Sequence, residues 1–322
     1  MTKAIHTAPS AYRGWLNLGD VFTATKLSCC AFAAVAPRRY WPAISRLFAR
    51  AHRRFRRSQH ERFVGACERY LNLDPFELEL QAISAEYEHH IGTIRDIVPV
   101  GSPPTTVFGQ SSLEEALRAH RGAVLWVSPF AHSDIVTKRG LSQAGFELTH
   151  LSHFGHPFSA TRLGARLLNP VQVHIENRYL KQRVLVSYGQ AQPALEALKT
   201  VLQRNGMVTV TAIGAGRKSI ELPLLGGTLR LAVGAPRLAL ETGAALIPVN
   251  TVPDGRGGFA VHCGDDLNRG HSGTDDEAIY AMAERYVGVL DRFVRKHPCS
   301  WQGWLSISWR PSIGARNKPG SP

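Results

Sequence analysis

Gly122-Ala-Val-Leu-Trp-Val-Ser-Pro-Phe-Ala-His-Ser-Asp134 opens as an apolar run, turns at Ser-Pro and restarts as a helix. Ala123–Ser128 shows no polar alternation, which fits a strand covered on both faces. A helix is predicted from Ser133 to Ala144, closed by Gly145. The same order repeats downstream. Strands are predicted at Phe146–Leu151, Val171–Ile175, Val184–Ser187, Met207–Ile213, Ala245–Asn250 and Phe259–Cys263. Helices are predicted at Phe158–Leu168, Pro193–Asn205, Gly234–Thr242 and Asp275–Arg295. Strand alternating with helix implies an α/β fold with a mainly parallel central sheet flanked by helices.

Upstream of Ser102-Pro103-Pro104, a break, residues 13–95 read as helices with no strong strand signal. The chain therefore divides into a loose N-terminus (1–12), a basic helical region (13–100), the α/β domain (101–311) and a Gly/Pro/Lys/Arg-rich tail (312–322) expected to be disordered. With 322 residues and 44% hydrophobic content, a sizeable core is available, and collagen-like, disulfide-scaffold and wholly disordered classes are excluded. The five cysteines (29, 30, 67, 263, 299) are scattered, without a C-x-x-C pair, which fits a reducing compartment.

Lys and Arg number 38 against 25 Asp and Glu, a net charge of +13, so an acidic partner is expected. The excess is concentrated: Arg38 to Arg62 holds nine arginines and one acid, Glu61, interleaved with Trp41, Ile44, Leu47, Phe48, Phe55 and Phe63. Ile44, Leu47, Phe48 and Phe55 fall at helical spacings, the pattern of an amphipathic helix lying on an anionic membrane surface. The same pattern also suits a helix packed on the core with solvated arginines. No nucleic-acid-binding motif accompanies the charge, so no nucleic-acid partner is expected. The most apolar stretch, Leu27–Pro37, has eleven residues. A spanning helix needs about 20, so no transmembrane helix is predicted.

Three segments could carry chemistry. Ser128 to Asp134 ends a buried strand, where open α/β sheets bind ligands. There His132 could serve as base and Asp134 as its orienter, or Ser133 or Asp134 could merely cap the helix. His150, His153 and His156 recur every three residues, but no acid or cysteine lies near in sequence to complete a metal shell. They are read as a substrate-lining loop, and neither a metal nor a tightly held cofactor is expected. Gly226 to Val249 joins a glycine loop, Arg230 and a Gly-x-Pro helix start, an arrangement suited to an anion. P-loop, Rossmann and G-x-S-x-G signatures are absent.

The block Gly234-Ala-Pro-Arg-Leu-Ala-Leu-Glu-Thr-Gly-Ala-Ala-Leu-Ile-Pro-Val249, placed after ELPLLGG, resembles the lysophospholipid and lipid A biosynthesis acyltransferases. The resemblance runs from about Trp15 to Trp309. It takes in the basic N-terminal region, Gly122-Ala-Val-Leu-Trp-Val127 before the turn, and Trp301-Gln-Gly-Trp304. It implies a glycerolipid acyltransferase-like fold at the cytoplasmic face of the inner membrane. The implied reaction moves a fatty acyl group from acyl-carrier protein or acyl-CoA to a hydroxyl of an amphipathic lipid or glycolipid. The family motif is His, four residues, then Asp or Glu. Aligning the acid on Asp134 puts Pro129 at the base position; aligning the base on His132 puts Thr137 at the acid position. Three readings stay open. His132 replaces the base beside Asp134, His150 or His153 swings in, or transfer has been lost and a lipid-binding pocket kept. Arg230, with Arg162 or Arg166 four apart on a predicted helix, would bind phosphate or other anionic groups, though surface arginines are also common.

Overall fold

The computed structural model describes residues 3–5, 14–55, 64, 67, 71–97, 102–153, 156, 158–186, 191–212, 218–270 and 273–308. The expected tail at 312–322 lies outside them, as do Phe63, Arg56, Arg57 and Arg62 of the arginine run and the terminal positions Ser187 and Ile213 of two expected strands.

The strands are β1 (Lys3–Ile5), β2 (Thr105–Phe108), β3 (Ala123–Val127), β4 (Leu148–His153), β5 (Gln182–Val186), β6 (Met207–Thr211), β7 (Ser219–Leu224), β8 (Gly227–Ala232), β9 (Ala245–Pro253), β10 (Phe259–Cys263) and β11 (Ile307–Ser308). The helices are α1 (Leu18–Val35), α2 (Trp41–Phe55), α3 (Pro75–Arg95), α4 (Gln110–Arg118), α5 (Ser133–Gln143), α6 (Arg162–Leu167), α7 (Asn169–Asn177), α8 (Gln192–Gln203), α9 (Gly234–Thr242) and α10 (Asp275–Lys296). The main sheet runs β1-β5-β4-β6-β3-β9-β10-β2. Every pair in it is parallel except β9 with β10. The chain is thus α/β with a mostly parallel central sheet flanked by helices, as the sequence implies.

β3 lies between β6 and β9, and all five of its residues are buried. Successive side chains point to opposite faces. Val124 and Trp126 join a core with α8, α9 and α10, while Ala123, Leu125 and Val127 join one with α4 and α5. Trp126 stacks on Tyr286 of α10 at 4.1 Å, and the Tyr286 hydroxyl meets Ser128 Oγ at 2.7 Å.

Several expectations are corrected. Val171–Ile175, read as a strand, is the middle of α7. Its buried positions Asn169, Gln172, Ile175 and Glu176 follow helical spacing but are mostly polar, so apolar periodicity could not show them. Lys3–Ile5, within the expected loose terminus, pairs parallel with β5. Glu221–Gly227 (ELPLLGG), for which the sequence suggested no element, belongs to the β7–β8 hairpin of a second, antiparallel sheet with β11, and Gly226 lies in its turn.

The N-terminal helices α1, α2 and α3 share a third core of Cys30, Ala33, Ala34, Trp41, Tyr87 and Ile91. α1 is 18 residues long with mean hydropathy 1.3, enough by length and composition to cross a membrane, contrary to the expectation that no segment reaches that length. Asp20 and Lys26 interrupt its sequence, but both are buried and occupied. Asp20 closes a capping box with Asn17 and accepts a 2.6 Å hydrogen bond from Thr161 Oγ1, while Lys26 pairs with Glu86 of α3. In α2, Ile44 and Phe48 pack on this core, the alternative to a membrane-facing surface, whereas Leu47 is exposed. Part of the arginine run is structural: Arg46 pairs with Glu77, Arg53 with Glu79, and Arg38 donates to the Gly257 carbonyl.

Candidate functional site

The turn after β3 is braced from within and from the C-terminal segment. Ser133 Oγ donates to the Ser128 carbonyl at 2.9 Å and accepts from the Phe130 N–H at 3.2 Å. Phe130 bridges to Trp301, and the Gln302 N–H donates to the Pro129 carbonyl at 2.8 Å. Trp301 and Trp304 pack edge to face at 5.0 Å, so the Trp301-Gln-Gly-Trp304 segment forms the back of the turn. α5 then starts at Ser133 and directs its N-terminal end, with its partial positive charge, toward the mouth of β3.

A cleft of about 250 Å³ opens here, between the N-terminal helices and the end of the sheet. Its lining includes Lys26 of α1, Glu86, His89 and His90 of α3, Asp134 of α5 and Gln172 of α7. Asp134 Oδ2 accepts from Gln172 Nε2 at 3.3 Å. His89 and His90 are both buried, with ring centroids 5.3 Å apart. Burial and the neighbouring His90 push His89 down to about 4, against the pull of Asp134. Burial also lowers His90, with Glu86 opposing at 3.8 Å from Nε2. Burial pulls the Glu86 carboxyl up, but His90 and Lys26 together hold it below its ordinary value. These imidazoles are therefore neutral at pH 7 and able to accept a proton.

His132 and Asp134 share the turn, but only Asp134 lines the cleft. The His132 ring packs on Phe259 at 4.6 Å and edge to face on His89 at 5.5 Å. Among the described residues no hydrogen bond joins it to Asp134. Burial, then His89, keeps it well below the usual histidine range.

The other sequence candidates are spread out. His150 is buried in β4 with Nδ1 2.8 Å from Thr209 Oγ1, and His153 is exposed at the end of β4. Folding brings an acid to the histidine cluster that the sequence spacing did not reveal: ligand atoms of His150, His156 and Glu176 lie within 4.8 Å of one another. Glu176 is fully buried and already occupied. Lys138 Nζ and Arg183 donate to Oε2 at 2.9 and 2.6 Å, and Gln172 Nε2 donates to Oε1 at 2.7 Å. Burial favours its neutral form, but Lys138, His156 and Arg183 keep it ionised, well below the carboxylate range. Two buried cations beside the carboxylate would repel a divalent metal, so this donor set suits a charge network. Gln172 joins that network to Asp134.

Arg162 and Arg166 are exposed on α6, whose first N–H groups donate to the Gly14 and Trp15 carbonyls just before α1. Arg230 is on the second sheet, exposed, with Nε 2.7 Å from Ser219 Oγ, and is not among the residues around the cleft. A larger groove, about 810 Å³, runs beside β10 and α10, but its one imidazole, His262, stacks on Phe108 and its Asp266 is paired with Arg121.

His89, His90 and Glu86 were missed by sequence reasoning. Their only signal was an i,i+4 Glu–His pair on a predicted helix, and nothing local says that helix reaches the end of β3.

No protein-family model matches the chain. A stretch of 129 residues is 35% identical to a protein of Mycobacterium tuberculosis strain H37Rv described as a phosphatidylinositol mannoside acyltransferase, and the counterpart in strain CDC 1551 matches equally. The match covers 39% of this chain and 38% of each relative's length.

Proposed function

We propose that the protein is a lipid acyltransferase of the glycerolipid acyltransferase-like fold. It transfers a fatty acyl group from an acyl thioester, on acyl-carrier protein or CoA, to a hydroxyl of an amphipathic lipid or glycolipid. The observation that carries this reading is the 35% identity over 129 residues to an enzyme described as acylating phosphatidylinositol mannoside. The cleft supports it chemically. Acyl transfer to a hydroxyl needs a neutral imidazole to take the proton, a carboxylate to stabilise the resulting cation and a positive field for the developing oxyanion. The α3 histidines provide the first, Asp134 the second, and the N-terminal end of α5 the third.

The setting we infer is the cytoplasmic face of the inner membrane. Leu18, Phe32 and Val35 of α1 are 88%, 82% and 83% exposed, and Trp15 and Leu16 precede them. Among the described residues Arg39, Arg50 and Arg54 are exposed without an acidic partner. Such a surface suits apolar insertion with charge attraction to anionic lipid. Arg162 and Arg166, next to Trp15 in space, are suited to an anionic headgroup.

Pro129, which cannot titrate, favours a second reading: a lipid-binding protein without turnover. The test is incubation of the purified protein with acyl-CoA or acyl-carrier-protein donors and glycolipid acceptors, read by mass spectrometry. An ester product supports transfer. Acceptor binding without product with every donor supports the second reading.

A further inference from the structure

The family motif that this chain resembles places its base five positions before the acid, where this chain has Pro129. The Pro129 carbonyl is bonded to the Gln302 N–H, and its ring offers no proton acceptor. Several imidazoles lie within reach of the turn. Those of the β4 cluster are engaged: His150 bonds Thr209, and His156 bonds Glu176. His90 has Glu86 beside Nε2, and its Nδ1 is closed off from solvent. His132 is wedged between Phe259 and His89 and does not line the cleft. His89 lines the cleft with Asp134, as His90 does, but among the described residues none hydrogen-bonds its ring nitrogens and neither of them is sealed from solvent as His90 Nδ1 is.

We propose that His89 of α3 is the general base of the acyl transfer, with Asp134 stabilising its imidazolium and His132 positioning its ring. The assignment rests on the acyltransferase reading. In the reaction the acceptor hydroxyl oxygen attacks the thioester carbonyl carbon while its proton passes to a ring nitrogen of His89. The new C–O bond forms, the tetrahedral intermediate collapses, the C–S bond breaks, and His89 returns the proton to the thiolate sulfur. His89 is neutral at pH 7 because burial and His90 disfavour its cation. The charged or titratable groups facing it are His90 and Glu86 on its own helix, Lys26 from α1, and Asp134 and His132 from the turn and α5. The two carboxylates are placed to stabilise the cation as it forms.

The experiment compares the full-length wild type with His89→Gln, His89→Gly, His90→Gln and His132→Gln in the acyl-transfer assay, with circular dichroism confirming the fold of each. His89→Gln is expected to lose roughly 10²–10⁴-fold in kcat, with KM for the donor little changed. Imidazole added to His89→Gly is expected to restore part of the rate, which a merely structural role would not allow. His132→Gln is expected to lose less. Retention of wild-type kcat in folded His89→Gln, or the large loss appearing in His90→Gln or His132→Gln instead, would overturn the assignment while leaving acyl transfer standing. Absence of any product from the wild type would overturn the acyltransferase reading and this assignment with it.

Discussion

His89 and His132 meet edge to face, their ring centroids 5.5 Å apart and their planes at 79°. One belongs to the N-terminal helices and the other to the turn that ends β3. Through this contact the basic N-terminal region contributes walls and titratable groups to the site, besides any role at a membrane.

Asp134→Asn tests the electrostatic coupling across the cleft. Asp134 raises the proton affinity of His89, so removing its charge lowers that affinity further. The acid limb of the kcat/KM profile is expected to move to lower pH, and the rate on the plateau to fall by about tenfold or more as the imidazolium loses its counter-charge. A pH–rate series checks both. An unmoved limb would place Asp134 outside the proton transfer.

The buried histidines make the fold acid-sensitive. His89 titrates near 4 in the folded state and near 6.5 unfolded. Between those values the unfolded chain binds more protons, so stability is fully present above about pH 6.5 and falls as pH drops toward 4. One such group contributes on the order of 1 kcal/mol per pH unit in that window. Denaturant melts at pH 7.5 and 5 are expected to show a clear loss at the lower pH, with a smaller pH dependence in His89→Gln.

Glu176→Gln isolates the charge network behind the cleft. The substitution leaves Lys138 and Arg183 buried at 4% and 3% exposure without their carboxylate. Removing one partner of a buried ion pair costs about 3–5 kcal/mol. Urea unfolding is expected to show a loss of that size, accompanied by reduced activity as Gln172 is freed from Glu176 and Asp134 shifts. A change under 1 kcal/mol would show that the network is not buried in solution.

The membrane attachment proposed above divides into an apolar and a charged part. Phe32→Ser with Val35→Ser removes the exposed apolar end of α1, and Arg50→Glu with Arg54→Glu reverses two free charges on α2. Each basic residue near an anionic surface is worth about 1 kcal/mol, so each double variant is expected to lower partitioning into anionic vesicles by about tenfold or more. Only the arginine-dependent part is expected to weaken between low and physiological salt. Vesicle flotation measures it, and unchanged flotation in both variants would move the contact surface elsewhere.

Several strands and helices that carry apolar periodicity were legible. β10 and α9 fall where the sequence puts them, and β3 and α5 end within one residue of their expected bounds. What escaped was β2, α4 and the β7–β8 hairpin, although they carry apolar positions such as Leu113, Leu222 and Leu229, and structure whose buried face is polar. α7 buries Gln172 and Glu176, and their partners Lys138 and Arg183 come from α5 and β5, so no local pattern announces the network. The site was half legible for the same reason. Asp134 could be placed because the end of a buried strand is a local feature. His89 could not, because only the packing of α3 against the turn brings it there. α1 was underestimated because Asp20 and Lys26 look solvent-bound in sequence and are instead satisfied inside the fold.

Acyl transfer by this protein can be read in one experiment. Purified full-length protein on anionic vesicles is given a labelled long-chain acyl thioester and a mannolipid acceptor, and the product is identified by mass spectrometry. The expected result is a new ester on the acceptor hydroxyl with free thiol released in equal amount. Release of neither ester nor thiol from CoA or acyl-carrier-protein donors, by protein that still binds the acceptor, would contradict it.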